Sequence, residues 1–115
     1  MKRYNIKTIA DYYGISRQMN KLVEELGEAV SAASEAMSMQ MFNETSGKPG
    51  NTNERLEHLL AELADVSVMI SQMLYLVDTR TTVDAYGVFE ATKASGIEKT
   101  LKRIDHEIAE MKGEQ

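Results

Sequence analysis

The chain has 115 residues, a formal net charge of −5 and no cysteine. Its length corresponds to one ordinary domain, and its 43% hydrophobic and 27% charged residues support both a core and a hydrated surface. Without cysteine, disulfides and thiolate metal sites are excluded. The acidic balance disfavours nucleic acid and anionic membranes as partners, because both require clustered lysine and arginine. We therefore expect a single domain over residues 1–115.

The N-terminal segment MKRYNIKTIA contains no apolar stretch of the kind found in signal peptides. No apolar run in the chain approaches the roughly 20 residues that a membrane span requires. Both observations favour a cytoplasmic protein that has no membrane as a partner.

Helical periodicity dominates the first two thirds of the chain. A short helix is predicted over residues 5–14, and Ser16 can cap a long helix over 17–41. Residues 42–54 contain the only proline together with several glycine, asparagine, serine and threonine residues, which is typical of a polar loop. A second long helix is predicted over 54–77.

The C-terminal third is predicted to hold two shorter helices. Residues 78–82 interrupt the periodicity, a helix follows over 82–93, and Ser95-Gly96 separates it from a last helix over 97–112. No segment has the alternation that indicates a confident strand. The sequence therefore predicts an all-α fold, a four- to five-helix bundle.

One half of the second long helix is apolar on nearly every side. This segment, VSVMISQMLYLV (66–77), leaves few positions suited to water, and a helix that is apolar all round has to be covered all round. Either it is the central core helix of the monomer, or it lies in an interface between copies of the chain. We expect the interface, in a homodimer or a homotetramer.

Two carboxylate pairs occur at matching spacing on the two long helices. Glu25 and Glu28 lie one turn apart on the first, and Glu62 and Asp65 lie one turn apart on the second. Because two helices joined by a loop pack antiparallel, the two pairs can face each other. A single pair of this kind is typical of a solvated surface, whereas two pairs on neighbouring helices indicate a site.

Four converging carboxylates repel one another, so a structure that gathers them needs a cation. Carboxylate oxygens without histidine or cysteine suit a hard ion, Mg²⁺ or else Mn²⁺, rather than zinc or copper. A di-iron bundle would need Glu-x-x-His motifs, and neither His58 nor His106 has a glutamate three positions before it. The predicted ligands of the magnesium ion are Glu25, Glu28, Glu62 and Asp65.

The residues around these carboxylates resemble a known family. QMNKLVEELGEAV (18–30) and AELADVSVMI (61–70) resemble the MazG-like branch of the all-α nucleoside triphosphate pyrophosphohydrolases. In that family a Q-x-x-K-L-x-E-E-x-x-E helix is followed by E-x-x-D on the next long helix. The resemblance covers roughly residues 17–104, and the segment between the two acidic motifs is longer here because of residues 42–54.

The resemblance implies a MazG-like fold and a reaction. A ribo- or deoxyribonucleoside triphosphate would be hydrolysed between its α and β phosphates to the monophosphate and pyrophosphate, in a role suited to cleansing the nucleotide pool. Such phosphoryl transfer depends on positioning and charge neutralisation, which Mg²⁺ on the four carboxylates would supply. Glu24 is then either the base that helps to deprotonate the attacking water or a solvent-facing side chain.

The resemblance also implies residues that bind substrate. Gln18 and Lys21 belong to the matched helix, and Lys21 either reaches a phosphate or forms an i, i+4 ion pair with Glu25. Cations on the last helix either supply positive charge to the triphosphate or form a solvated face, namely Lys99, Lys102 and Arg103. Three aromatic side chains could stack on a base, although we expect them to pack in the core: Tyr12, Tyr13 and Phe42.

Two other interpretations of the sequence stay open. Residues 9–25, IADYYGISRQMNKLVEE, have the I-A-x-x-x-G-I-S pattern of a helix-turn-helix, although the second helix offers carboxylates where DNA binding needs cations. A non-enzymatic helical interaction protein would explain the apolar segment 66–77 but not the paired acidic motifs.

Overall fold

Four α-helices make up the part of the chain that the computed structural model describes, residues 5–47 and 52–113. They are α1 (Ile6–Tyr13), α2 (Ile15–Ser46), α3 (Asn53–Arg80) and α4 (Ala85–Gly113). No strand occurs within these two ranges. Over these ranges the predicted all-α character is confirmed, with four helices.

Three predicted boundaries are wrong. Ser16 does not cap the long helix, because α2 begins at Ile15 and Gly14 occupies the N-cap position without a side-chain hydrogen bond. The loop predicted over 42–54 is shorter, because α2 continues to Ser46 and ends at Gly47, whose φ of 67° forms a left-handed C-cap; residues 48–51 lie outside the described ranges. The break predicted at Ser95-Gly96 does not occur, since α4 is one continuous helix. One glycine costs a helix about 1 kcal/mol, which the helix-forming residues on either side outweigh.

A sharp corner at Gly14 sets α1 beside α3. The side chain of Asn5 caps α1 by accepting a hydrogen bond from the Thr8 N–H at 3.1 Å. Gly14 follows with φ 84° and ψ 169°, a backbone conformation that is nearly restricted to glycine. In the last turn of α1, close to this corner, Asp11 accepts a hydrogen bond from the Tyr75 hydroxyl at 2.8 Å, so α1 is tied to α3 by a polar contact as well as by packing.

The helices α2 and α3 form an antiparallel hairpin that contains most of the core. Gln18 pairs with Gln72 at one end of the hairpin and Glu35 with Arg55 at the other, which shows that the two helices run in opposite directions. Alanines on α2 face larger side chains on α3, which allows the helices to approach closely. The buried apolar residues of the hairpin are Ala29, Ala32, Ala36, Val66, Met69 and Leu76.

Each helix of the hairpin also carries a stripe of apolar side chains that the single chain leaves exposed. These residues recur at steps of three, four or seven positions, the spacing of one helix face. Val30 is 66% exposed and Leu60 is 64% exposed. The exposed stripe residues are Met19, Val23, Leu26, Val30 and Met37 on α2, and Leu56, Leu60 and Leu63 on α3.

The helix α4 extends away from the rest of the chain. Ala85 is buried and Phe89 is half-buried, but every other described residue from Tyr86 to Gly113 is exposed. The Cα radius of gyration is accordingly 19.6 Å, against about 13 Å for a compact domain of about 100 residues. The fold of one chain is therefore elongated, and α4 lacks a packing partner over most of its length.

The expectation that no apolar run approaches the length of a membrane span is wrong for α3, which has a stretch long and apolar enough to cross a membrane by length and composition alone. The core helices of soluble proteins meet the same criterion. Part of this stretch packs against α2 here, through Val66, Met69, Gln72 and Leu76. The cytoplasmic location stays a prediction.

Two glycine-to-alanine changes test the corner at Gly14 and the continuity of α4. Gly96→Ala should stabilise the chain by about 1 kcal/mol, because the site is helical and open space surrounds the added Cβ. Gly14→Ala should destabilise it by about 1–3 kcal/mol, because only the backbone conformation opposes the methyl group there. Urea denaturation followed by circular dichroism measures both; a destabilising Gly96→Ala would contradict a continuous α4.

Candidate metal centre

The hairpin brings three of the four predicted metal ligands together. Glu25 and Glu28 on α2 meet Glu62 on α3, and one carboxylate oxygen from each lies within 4.8 Å of the others. The antiparallel register places Glu62 level with Glu28, as the matching spacing of the two acidic motifs predicts. We call these three residues the carboxylate cluster.

Two oxygens of the carboxylate cluster are buried without a hydrogen-bond partner, Oε2 of Glu25 and Oε2 of Glu62. Glu25 as a whole is only 7% exposed. A buried polar atom with no partner costs about 1–3 kcal/mol, and more when the group is charged. A cation between the side chains would remove that cost, and a donor set made only of carboxylate oxygens fits Mg²⁺ or Mn²⁺.

Charge repulsion within the cluster acts most visibly on Glu28. Its pKa is raised above the usual value, first by the negative charge of Glu25, then by that of Glu62, with a smaller contribution from desolvation. Since Glu28 is exposed, water screens part of this repulsion. The cluster is therefore held together by the helix packing around it, against its own electrostatics.

Asp65 is the fourth predicted ligand, and it stands apart. It is exposed and does not belong to the group of oxygens within 4.8 Å, although the antiparallel register places its backbone level with Glu25. His58, one turn before Glu62, has its Nε2 3.9 Å from Oε1 of Glu62. A change of side-chain rotamer would be needed to add Asp65 to the cluster.

Lys21 supplies the positive charge nearest to the cluster. Its Nζ lies 3.2 Å from Oε1 of Glu25 and 3.5 Å from Oε2 of Glu24, and these contacts, with Glu25 the stronger, raise the pKa of Lys21. Of the two roles predicted for Lys21, this structure has the i, i+4 ion pair. Because the ammonium group is half exposed, the pair is weak, and the side chain can exchange Glu25 for another anion.

Gln18 is buried and links the two helices of the hairpin. Its Nε2 donates to Oε1 of Gln72 at 2.6 Å, and both side chains are almost fully enclosed. Gln72 is the one amide within the apolar segment 66–77, and its partner on α2 explains how it is tolerated there. Gln18 therefore has a structural contact that the sequence pattern did not predict.

A cleft of about 520 Å³ opens beside the carboxylate cluster, between α1, α2 and α3. Lys21 and Glu24 line one end of it. At the other end, the Arg17 guanidinium lies over the Tyr13 ring, 5.0 Å from its centroid. The full lining consists of Ile9, Tyr13, Arg17, Gln18, Asn20, Lys21, Glu24, Met69 and Gln72.

The three aromatic residues expected in the core are exposed, so that expectation is wrong. Tyr13 lines the cleft, whereas Tyr12 and Phe42 do not. A short α1 buries only Ala10, and the apolar residues that α2 buries are alanines rather than its larger apolar side chains. Tyr13 is 43% exposed beside the polar cleft, with Arg17 over its ring and the Tyr12 ring in an edge contact at 4.9 Å.

The cations predicted on the last helix are not at this site in a single chain. Lys99, Lys102 and Arg103 are exposed on α4, and α4 packs only against α3 among the described helices. Lys102 pairs within its own helix, at 3.3 Å from Glu98. The solvated face, one of the two predicted roles of these residues, is what a single copy displays.

Another depression, about 590 Å³ in volume, lies between the second half of α3 and the start of α4. Its walls are apolar, with Leu22, Ile70, Leu74 and Phe89 among them, and Lys93 is their one charged group. It is larger than the polar cleft but offers no group that could bind a cation or activate water. We therefore place the candidate site at the carboxylate cluster.

Arg17 and His58 are site residues that the sequence reasoning missed. Each lies one helical turn from a residue already singled out: Arg17 is four positions after Tyr13, and His58 is four positions before Glu62. An i, i+4 search outward from the candidate residues would have found both.

Comparisons of the chain with family models, with curated proteins and with solved structures found no match. The MazG-like resemblance therefore stays a prediction that rests on the two acidic motifs. The carboxylate cluster and its buried oxygens without partners are independent of that resemblance, since they follow from the packing of α2 against α3.

Removing one negative charge from the cluster should stabilise the metal-free chain. The folded state holds the proton of Glu28 to a higher pH than the unfolded state, whose value is near 4.5. The free energy of unfolding therefore falls as the pH rises from about 4.5 through the raised pKa. Glu28→Gln should raise the Tm at neutral pH in EDTA, and its advantage should vanish at or below pH 4.5.

Glu57→Gln is the matched control for this measurement, because Glu57 is an exposed glutamate on α3 outside the cluster. It should leave the Tm nearly unchanged at both pH values. A Glu28→Gln chain that melts below the wild type at neutral pH in EDTA would show that the three carboxylates do not repel as their geometry indicates.

Proposed function

We propose that this chain is a Mg²⁺-dependent nucleoside triphosphate pyrophosphohydrolase, which cuts between the α and β phosphates and releases the monophosphate and pyrophosphate. The observation that carries the proposal is the pair of buried carboxylate oxygens without partners, Oε2 of Glu25 and Oε2 of Glu62, beside Glu28. Carboxylates held together at a cost to stability indicate a site for a cation rather than a structural feature.

The carboxylate cluster would hold the metal ion, and Asp65 would join it by a change of rotamer. A bound Mg²⁺ would neutralise phosphate charge and help to position a water for in-line attack. The ion would also relieve the repulsion that raises the pKa of Glu28. Metal binding would therefore remove the repulsion between the carboxylates.

Glu24 and Lys21 lie between the cluster and the cleft, where a triphosphate would bridge the two. Glu24 is exposed and next to Glu25 in sequence, so its carboxylate can accept a proton from a water that the substrate brings close. Lys21 would move from Glu25 to a phosphate oxygen once the cation shields Glu25. In the free chain, the ion pair with Glu25 keeps Lys21 close to the place where a phosphate would bind.

The nucleoside would occupy the cleft. Tyr13 offers a ring face for a base, and Arg17 can stack on the base or meet a phosphate. Gln18 and Gln72 at the floor are engaged with each other, yet each amide retains further hydrogen-bonding capacity. The volume of about 520 Å³ lies within the range of small-molecule sites.

The proposal includes self-association as a dimer or tetramer. The exposed apolar stripes of α2 and α3 need cover, and a second copy can supply it. On α2 this surface points away from the cluster, because Glu28 and Val30 are about 200° apart around the helix. Association through the stripes therefore leaves the metal site open, and any phosphate contact by Lys99, Lys102 or Arg103 would come from another copy.

A helical interaction protein without activity is the second candidate, and the exposed apolar stripes favour it. That role explains Val30 and Leu60 but assigns nothing to the carboxylate cluster. The DNA-binding alternative has less support, since α2 packs along α3 over most of its length and carries Glu24, Glu25 and Glu28 where DNA would approach. Retention of DNA in a gel shift at moderate salt would favour the DNA-binding role.

Removing a cluster carboxylate should abolish activity. All ribo- and deoxyribonucleoside triphosphates are screened with Mg²⁺ for pyrophosphate and orthophosphate separately, and pyrophosphate is expected. Glu25→Gln should lower the rate by about 100-fold or more, as loss of a direct metal ligand should cost at least as much as loss of its supporting partner. Glu57→Gln is the control and should keep full activity.

Mg²⁺ should also raise the Tm of the wild type but not of Glu25→Gln, because binding to the folded state alone is stabilising. This readout separates metal binding from turnover. Orthophosphate as the product would indicate a different hydrolase, and a fully active Glu25→Gln would remove the metal-centre proposal.

Shortening Tyr13 tests the position of the base. Stacking of a base on an aromatic ring contributes about 1–3 kcal/mol, so Tyr13→Ala should raise KM by about tenfold while kcat changes little. Tyr86→Ala is the control, since Tyr86 is an exposed tyrosine on α4 outside the cleft. An unchanged KM for Tyr13→Ala would place the base elsewhere.

A further inference from the structure

The distal part of α4 carries an uncovered apolar stripe of unusual regularity. Its members follow one another at alternating steps of three and four residues, the a and d positions of a heptad repeat. From Ile97 onwards each is between 44% and 67% exposed. The stripe consists of Ala94, Leu101 and Ile108 at a positions and of Ile97, Ile104 and Met111 at d positions.

This stripe is not an extension of the surface by which α4 packs on its own chain. Ala85 and Phe89 are the residues of α4 that are buried or half-buried. At 3.6 residues per turn, the centre of the distal stripe lies about 100° around the helix from these two side chains. The stripe therefore lies to one side of the surface that packs on α3, and nothing in the described part of the chain covers it.

We infer that the α4 stripe is the seam of a parallel, in-register coiled coil with α4 of a second copy of this chain. A narrow stripe restricted to a and d positions is the pattern of a coiled-coil seam, whereas a helix lying on a globular core has a wider apolar face. This interface is separate from the exposed stripes of α2 and α3, and it does not depend on the proposed activity.

The charges that flank the stripe select the parallel orientation. In a parallel pair each g position meets the e position five residues later on the second copy. Lys93 then meets Glu98 of the second copy, and Glu107 meets Lys112, so both charged contacts are attractive. The remaining contact joins Thr100 to Asp105, which is not repulsive.

The antiparallel orientation lacks this complementarity. The antiparallel alignment that keeps the whole stripe covered brings Glu98 opposite Asp105 of the second copy, and symmetry repeats this contact. Like charges at these flanking positions disfavour the pairing. Charge complementarity thus distinguishes between two arrangements that would bury the same apolar side chains.

The contacts already present on α4 are compatible with this pairing. Glu98 lies 3.3 Å from Lys102 within the helix, but both side chains are well exposed and such a pair is weak enough to exchange. The cations Lys99, Lys102 and Arg103 occupy f, b and c positions, on the outer side of the pair. The coiled coil would therefore leave these three residues accessible to ligands.

The chain has no cysteine, so single introduced cysteines report the pairing directly. In a parallel, in-register pair, identical a or d positions come within disulfide reach, with Cα atoms about 4.4–6.8 Å apart. Leu101→Cys and Ile104→Cys should therefore each form covalent dimers on mild oxidation at low protein concentration. Ser95→Cys, at an outer b position, should stay monomeric on the same non-reducing gel.

Charge variants test the orientation without touching the apolar seam. Glu107→Lys places a lysine opposite Lys112 of the second copy and should raise the dissociation constant of the dimer by about tenfold. Light scattering across a dilution series measures this constant. Glu107→Lys combined with Lys112→Glu should restore it.

Three outcomes would overturn the inference. The first is a monomeric wild type at micromolar concentration. The second is an oligomer in which neither Leu101→Cys nor Ile104→Cys forms a disulfide, which would mean that the stripe docks on another surface. The third is crosslinking only between unlike chains in a mixture of the two variants, which is the signature of antiparallel helices.

Discussion

Repulsion between carboxylates at the contact of α2 with α3 is the constraint on which the candidate site depends. Glu25 is buried by the same packing that buries Ala29 and Ala32, so the hairpin cannot form its core without bringing Glu25 close to Glu62. Lys21 offsets part of the charge from one side only. The repulsion that remains would be relieved by a cation. It arises in the folded chain because the small alanines let α2 and α3 approach closely.

Helix geometry places the polar surface and the exposed apolar surface of the hairpin on opposite sides. Residues two apart on a helix point in nearly opposite directions, so Glu28 lies on the side of the cleft while Val30 lies on the exposed apolar side. The polar side has a cleft, cations and unsatisfied oxygens. The other side has only hydrophobic contacts to offer. A second copy that covers the apolar side would complete the core without blocking access to the carboxylates.

The described part of the chain leaves many large apolar residues exposed. The helix α4 shows this most clearly, because Ala85 and Phe89 are its only described residues that are buried or half-buried. Small domains bury a limited fraction of their surface even when compact, and an elongated one buries less. The proposed assembly between copies would add to the stability of the fold, with the hairpin stripes and the α4 stripe as two separate contact surfaces.

Periodicity in the sequence predicted much of the helical content. The errors in the predicted helix boundaries have physical causes. The short helix predicted over residues 5–14 does end at Gly14, where the glycine adopts a conformation that other residues avoid. Ser95-Gly96 looked like a similar stop, but its glycine sits in ordinary helical conformation. Local composition does not distinguish a glycine that ends a helix from one that a helix tolerates, since the difference lies in what the neighbouring residues can form.

The sequence by itself determined that the chain is helical and that Glu25, Glu28 and Glu62 could meet, because spacing along a helix is a property of the backbone. Only the tertiary structure decided which groups actually meet. It joined Gln18 to Gln72, left Asp65 outside the cluster, and exposed Tyr13 beside a cleft. Those outcomes depend on the rotation of each helix about its axis and on its distance from its neighbours, and both are set by the packing of side chains that lie far apart in sequence.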